Sequence, residues 1–154
     1  MKKILSVVIS LVMIIMQAQN VYAHNQTIKN NSKPRINKIT MLTDYGITLS
    51  GINPKKAIKY LNEALFLNPK SAMAYFGKGE SYRYLLQYHE AINNYKKAIK
   101  LKHNFAAAYN GLGITYIMSG KKTQGCLDMR KACLLNHLCG TFKYFEEINI
   151  CRII

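Results

Sequence analysis

The sequence contains no tryptophan, three prolines and only seven carboxylates in 154 residues, and no cysteine appears before Cys126. Each shortage excludes something. Pro69 is the last proline, so everything after it is free of the residue that most reliably breaks a helix. Seven carboxylates, with Glu146 and Glu147 adjacent, leave little from which to build an acid/base pair or a carboxylate cage for a metal. No His-Glu-x-x-His, nucleophile elbow or Cys-x-x-Cys pair is present. Nothing in the chain therefore marks an enzyme, a metal site or a cofactor. Nor does any apolar run reach the roughly 20 residues that span a bilayer comfortably.

Positive charge is abundant. Lysine and arginine number 22, giving a formal charge of +15. Lys2 and Lys3 precede an apolar run from Ile4 to Met16, and Val21-Tyr22-Ala23 has the light residues at the positions a signal peptidase accepts. We expect residues 1–23 to be a signal peptide cleaved after Ala23, with export to a periplasmic or extracellular space; an uncleaved anchor is the alternative. Residues 24–37 are polar, rich in Asn and Lys and without apolar period, which reads as a flexible linker. For an exported basic chain, an anionic envelope surface is the natural electrostatic partner, and nucleic acid is not expected.

From residue 38 the sequence repeats. Ala74–Tyr82, AYFGKGESY, moved forward by 34 residues lands on Ala108–Tyr116, AYNGLGITY. The same step relates Ala98 to Ala132 and Leu101 to Leu135, and backward it relates Ala91, Ile92 and Ala98 to Ala57, Ile58 and Ala64. Three units follow, 38–71, 72–105 and 106–139. Within a unit, Ala91, Ile92, Tyr95, Ala98 and Ile99 fall on one stripe of a 3.6-residue period. Breaks at Gly51–Pro54, Leu86–Gln87 and Ser119–Gly120 precede such stripes, so each unit reads as a helical hairpin. The Gly-x-Gly pairs Gly77/Gly79 and Gly111/Gly113 lack the upstream strand and third glycine of a dinucleotide loop, and the Lys-Ser/Thr of a Walker loop. We read Gly79 and Gly113 as points where a neighbouring helix comes close.

These residues resemble the tetratricopeptide repeat (TPR). The pattern is filled by Tyr75, Gly79, Tyr82, Ala91, Tyr95 and Ala98 in the second unit, and by Tyr109, Leu112, Gly113, Tyr116, Met129 and Ala132 in the third, with Gly125 where alanine is usual. The first unit is weaker on its leading helix but conventional at Ala57, Leu61, Ala64 and Pro69. The resemblance implies an all-α fold: a right-handed superhelical stack of three hairpins. The C-terminal stretch is similar to the end of exported bacterial repeat proteins, in which a last helix, here 140–154, caps the open end. Phe142, Tyr144, Phe145 and Ile148 would supply its apolar face.

Cys126 and Cys133 stand where Ile92 and Ile99 stand one unit earlier. Seven residues along a helix is about 10.5 Å, too far for them to bridge each other. If the cap folds back antiparallel, nested disulfides join Cys133 to Cys139 and Cys126 to Cys151. Buried free thiols are the plain alternative, and a zinc site lacks ligand spacing.

In repeats of this type the leading helices line a concave groove. Helical spacing leaves Leu42, Met73, Phe76, Glu80, Arg83, Tyr84, Asn110, Ile114, Ile117 and Met118 facing it, a mixed but largely apolar surface suited to a peptide or a partner helix. Family members that clamp an acidic C-terminal tail use Lys, Asn and Arg at places held here by Leu42, Gly46, Gly77, Ala107 and Gly111, so that function is not carried over. The second helices put Lys59, Lys96, Lys97, Lys100, Arg130 and Lys131 opposite their apolar stripes, which predicts a basic convex ridge. Two uses are expected: an exported scaffold holding a protein or peptide in the groove, or attachment to an anionic envelope polymer or lipid through the ridge.

Overall fold

The computed structural model describes residues 16, 17, 19, 21, 35–136, 139–147 and 149–151. Two units are distinguished, Met1–Lys38 and Ile39–Ile154. In the first, the described residues are helical. They include 35–37, the end of the expected linker, where Arg35, Ile36 and Asn37 contain no helix breaker. The leader, its cleavage site and residues 24–34 otherwise lie outside the described residues. No helix among the described residues is long and apolar enough to cross a membrane.

The second unit is all-helical. Helix α1 covers 39–49, followed by α2 (Pro54–Leu67), α3 (Ala72–Tyr84), α4 (Tyr88–Leu101), α5 (Ala106–Met118), α6 (Lys122–Asn136) and α7 (Gly140–Glu147). The ends have local causes. Pro54 opens α2 behind Asn53, whose side chain accepts a hydrogen bond from the Lys56 amide at 3.1 Å. Ser71 does the same for α3 through Ala74. Leu86 and Gly120, each just past a leading helix, take φ of 59° and 85°. Glycine enters that region freely and leucine does not.

Helices pair within units, α3 on α4 and α5 on α6, and consecutive units join through α2 with α3 and α4 with α5. The stripe positions are the core: Ala57, Leu61 and Ala64 in the first unit, Ala91, Tyr95 and Ala98 in the second, Met129 and Ala132 in the third, all buried. The buried hydroxyls of Thr43, Ser50, Ser81 and Thr115 all find backbone carbonyls. The Ser81 hydroxyl lies 2.9 Å from the Gly77 carbonyl and 3.0 Å from the Ser50 hydroxyl, tying the end of the first leading helix to the second.

The glycines set how closely the helices approach. A Cβ added to Gly79 would meet the Tyr95 ring at 2.7 Å. In the third hairpin the contact is backbone on backbone: a Cβ on Gly113 would sit 2.7 Å from the Gly125 carbonyl, and one on Gly125 would sit 2.6 Å from that of Gly113. The usual alanine at position 125 has no room. Gly125→Ala should therefore lower stability by about 1–2 kcal/mol in a urea titration, because overpacking against rigid backbone outweighs the helix propensity gained. Gly140→Ala, with nothing within 4 Å of the added atom, should not destabilise.

The cap is fastened rather than packed. Disulfides join Cys126 to Cys151 and Cys133 to Cys139, with Cα separations of 5.4 and 4.5 Å, and no cysteine is free. No residue of α7 is buried. The helix ends at Glu147, shorter than the expected 140–154, because Asn149 turns the chain at φ 60° and the amides of Ile150 and Cys151 fold back onto the Phe145 carbonyl. Ile148, expected on the apolar face of the cap, lies outside the described residues. The 25-residue separation of Cys126 and Cys151 implies about 3 kcal/mol of stabilisation from the constrained unfolded chain. Cys126→Ser/Cys151→Ser should lower the melting midpoint and make α7 amides exchange rapidly with deuterium, while those of α4 stay protected.

Candidate functional site

The leading helices α3 and α5 bring part of the expected groove together. Met73, Tyr84 and Met118 are exposed, whereas Leu42, Phe76, Asn110 and Ile114 are half-buried. Leu42 packs against the cluster of Ala57, Leu61, Ala64 and Ala74. Phe76 rests with its ring centroid 5.2 Å from Phe105 and 6.1 Å from Tyr95, so it closes the seam between units as well as edging the groove. Ile117 is placed differently from the expectation: a Cβ on Gly125 would meet its Cγ1 at 2.5 Å, so it points at α6 within its own hairpin. The space left by the glycine draws it inward.

Glu80, Arg83 and Tyr84 form one cluster. The Arg83 guanidinium donates to Glu80 Oε2 at 2.5 Å and lies 4.6 Å from the Tyr84 ring centroid. The Tyr95 hydroxyl, from α4 beneath, donates to Glu80 Oε1 at 2.5 Å. That oxygen rests on the α5 backbone, where a Cβ on Gly111 would come within 2.9 Å of it. One carboxylate thus collects an ion pair from its own helix and a phenol from its hairpin partner. Burial works against the Arg83 charge, but the hydrogen bond and charge of Glu80 outweigh it and raise its pKa above the ordinary arginine value. Burial, then the neighbouring Glu80 charge, raises the Tyr95 pKa well above that of a free tyrosine. The Arg83 Nε is buried with no partner. Sequence spacing marks Glu80 and Arg83 as an i, i+3 pair, but the tyrosine 15 residues away that fixes them carries no local signal.

The expected ridge residues Lys59, Lys96, Lys97, Lys100, Arg130 and Lys131 are all exposed. Two of them also lie over aromatic faces: Lys97 Nζ is 5.6 Å from the Tyr75 ring centroid and Lys96 Nζ is 5.8 Å from that of Tyr116. Half-buried Asp128 has a raised pKa through burial, opposed by its hydrogen bond from Gln124 and the charge of Lys96. No cluster of metal-ligating side chains occurs among the described residues.

The fold and both surfaces can now be set beside known proteins. The family model described as TPR repeat matches residues 79–120. The tetratricopeptide domain of Arabidopsis OM64 superposes with a TM-score of 0.70 at 21% identity, covering 77% of this chain and 99% of that one. The second TPR of Spaghetti (RPAP3), solved with the HSP90 peptide SRMEEVD, gives 0.60 at 20% identity over 68% of this chain and 99% of that one. MamA gives 0.61 at 24% identity over 80% and 75%. By sequence, the chain is 31% identical over 101 residues to a FAM10 family protein of Arabidopsis thaliana, and 27% identical over 81 residues to anaphase-promoting complex subunit 3 of Schizosaccharomyces pombe. These stretches are 66% and 53% of this chain, and 21% and 12% of those relatives. The architecture is an all-α TPR solenoid.

If Glu80 is what balances Arg83, Glu80→Gln should cost about 2 kcal/mol, since it strands a largely buried charge, and Tyr95→Phe about 1 kcal/mol. A tyrosine with a raised folded pKa contributes stability that is whole below its ordinary value of about 10 and is lost as pH rises beyond it. Tyr95→Phe should therefore flatten the fall in melting temperature above pH 10 that the parent chain shows.

Proposed function

We propose that this chain is an exported interaction scaffold whose groove holds an uncharged, mainly apolar peptide or partner helix. The observation that carries this reading is the Glu80–Arg83 pair. The arginine of the expected groove is neutralised by its own helix, with exposed Tyr84 against it, while Met73 and Met118 add exposed apolar surface elsewhere on the leading helices. The peptide-bound Spaghetti domain supports protein or peptide binding as the use of such a fold. In this chain the five tail-clamping positions are Leu42, Gly46, Gly77, Ala107 and Gly111, none of which offers a polar side chain. The apolar leader with its Ala23 cleavage signal supports export to a periplasmic or extracellular space, and four cysteines bonded in pairs suit an oxidising compartment.

A second reading rests on a different observation: the exposed lysines and arginine of α2, α4 and α6, in a chain of +15 formal charge, favour attachment to an anionic envelope polymer or lipid. Ionic strength separates the two. Selection from a random peptide library should yield apolar, uncharged sequences whose affinity changes less than about twofold between low and high salt. Met73→Glu and Met118→Glu should each weaken them about tenfold or more, and the acidic peptide SRMEEVD should not bind. Recovery of only acidic peptides released by salt would reject the groove reading in favour of the ridge.

A further inference from the structure

Lys78 is out of place by the logic of the repeat. Its counterpart 34 residues on is Leu112, 4% exposed in the core, whereas Lys78 is only half-buried. Partial desolvation disfavours its charge, and so does the charge of Lys97 on the next helix; both lower its pKa. A cation kept where it costs stability, with another cation as neighbour, marks a place arranged for an anion rather than for the fold.

The surroundings say what kind of anion. Beside Lys97 lies a notch of about 250 Å³ lined by Pro69, Tyr75, Lys97, Lys100 and Leu101. Lys78 follows Tyr75 by one helical turn on α3, and Lys97 and Lys100 are one turn apart on α4. Among the described residues, none of the three lysines is ion-paired to a carboxylate. Their coincidence is confined to the middle unit. The first has Asp44, Glu63 and Phe66 at these places, and the third has Leu112, Lys131 and Leu134.

We infer that this notch between α3 and α4 binds a phosphate ester carried on an apolar or planar body, with Lys78, Lys97 and Lys100 around the phosphate and Tyr75, Pro69 and Leu101 beneath the body. Three ammonium groups match a group carrying nearly two negative charges better than a single carboxylate. The tyrosine ring and the two apolar residues give the remainder of the ligand an apolar floor. This site is separate from the groove and does not depend on it.

Phenyl phosphate is the probe, titrated into the full chain with disulfides intact and ionic strength held constant with sodium chloride, while amide resonances are followed by NMR. Saturable shifts at Tyr75 and Lys97 are expected, with benzoate binding about tenfold more weakly. Lys78→Leu, which copies the next repeat, should weaken phenyl phosphate about tenfold while raising the melting temperature, an outcome that loss of structure cannot imitate. Lys131→Gln, at the corresponding ridge position of the third unit, should leave affinity unchanged. Vesicles of phosphatidic acid, a lipid phosphate monoester, diluted in phosphatidylcholine identify the source. Sedimentation lost in Lys78→Leu points to a lipid headgroup, and sedimentation unaffected by it points to a soluble ester. Non-saturating shifts, equal affinity for benzoate, or equal weakening by Lys131→Gln and Lys78→Leu would overturn the proposal in favour of diffuse attraction along the ridge.

Discussion

The ring of Tyr95 is the contact on which the middle of this molecule depends. It is completely buried, and it fits only because two helices present no side chain to it: Gly79 on α3 and Gly111 on α5 both leave the volume that a Cβ would occupy. Full burial of a side chain this large is worth about 2–3 kcal/mol, more than the helix propensity given up at either glycine. The two vacancies and the ring therefore stand together. Replacing any one without the others leaves either a clash or a void.

Tyr95 also carries the packing outward into chemistry. Its hydroxyl reaches Glu80, Glu80 holds Arg83, and Arg83 lies against Tyr84 at the exposed edge. The character of one surface is thus set from inside the hairpin. The opposite surface is less compensated: Lys96, Lys97 and Lys121 lie over aromatic faces, and of these Lys96 also acts on Asp128. One scaffold therefore presents an electrically balanced face on its leading helices and an unbalanced one on its trailing helices.

Much of this was legible in the sequence because the information is periodic. Ala57 and Ala91, then Leu61, Tyr95 and Met129, then Ala64, Ala98 and Ala132, recur at an interval of 34, and all of them are buried. The cysteine pairing was legible only conditionally, since it required the cap to fold back antiparallel and buried free thiols were the plain alternative; the structure forms the two bridges. What escaped is side-chain direction where a glycine opens an alternative. Ile117 has the spacing of a groove residue but turns toward Gly125, because that position lacks the methyl that would repel it. The Tyr95–Glu80 bond escaped for another reason: it joins two helices at a depth that depends on how close they come, and no pattern on a single helix encodes that distance. Lys78 was passed over because a lysine in a basic chain attracts no notice until its counterpart, Leu112, is seen buried.

The sulfur bonds at the C-terminus alter what evolution can do with that end. A terminal helix retained by burial must preserve its inward residues, and each substitution there risks unravelling the stack. Here Cys126 and Cys151, with Cys133 and Cys139, take over retention, and α7 has no interior position to defend. Its exposed residues can therefore be exchanged without opening a void in the stack behind them.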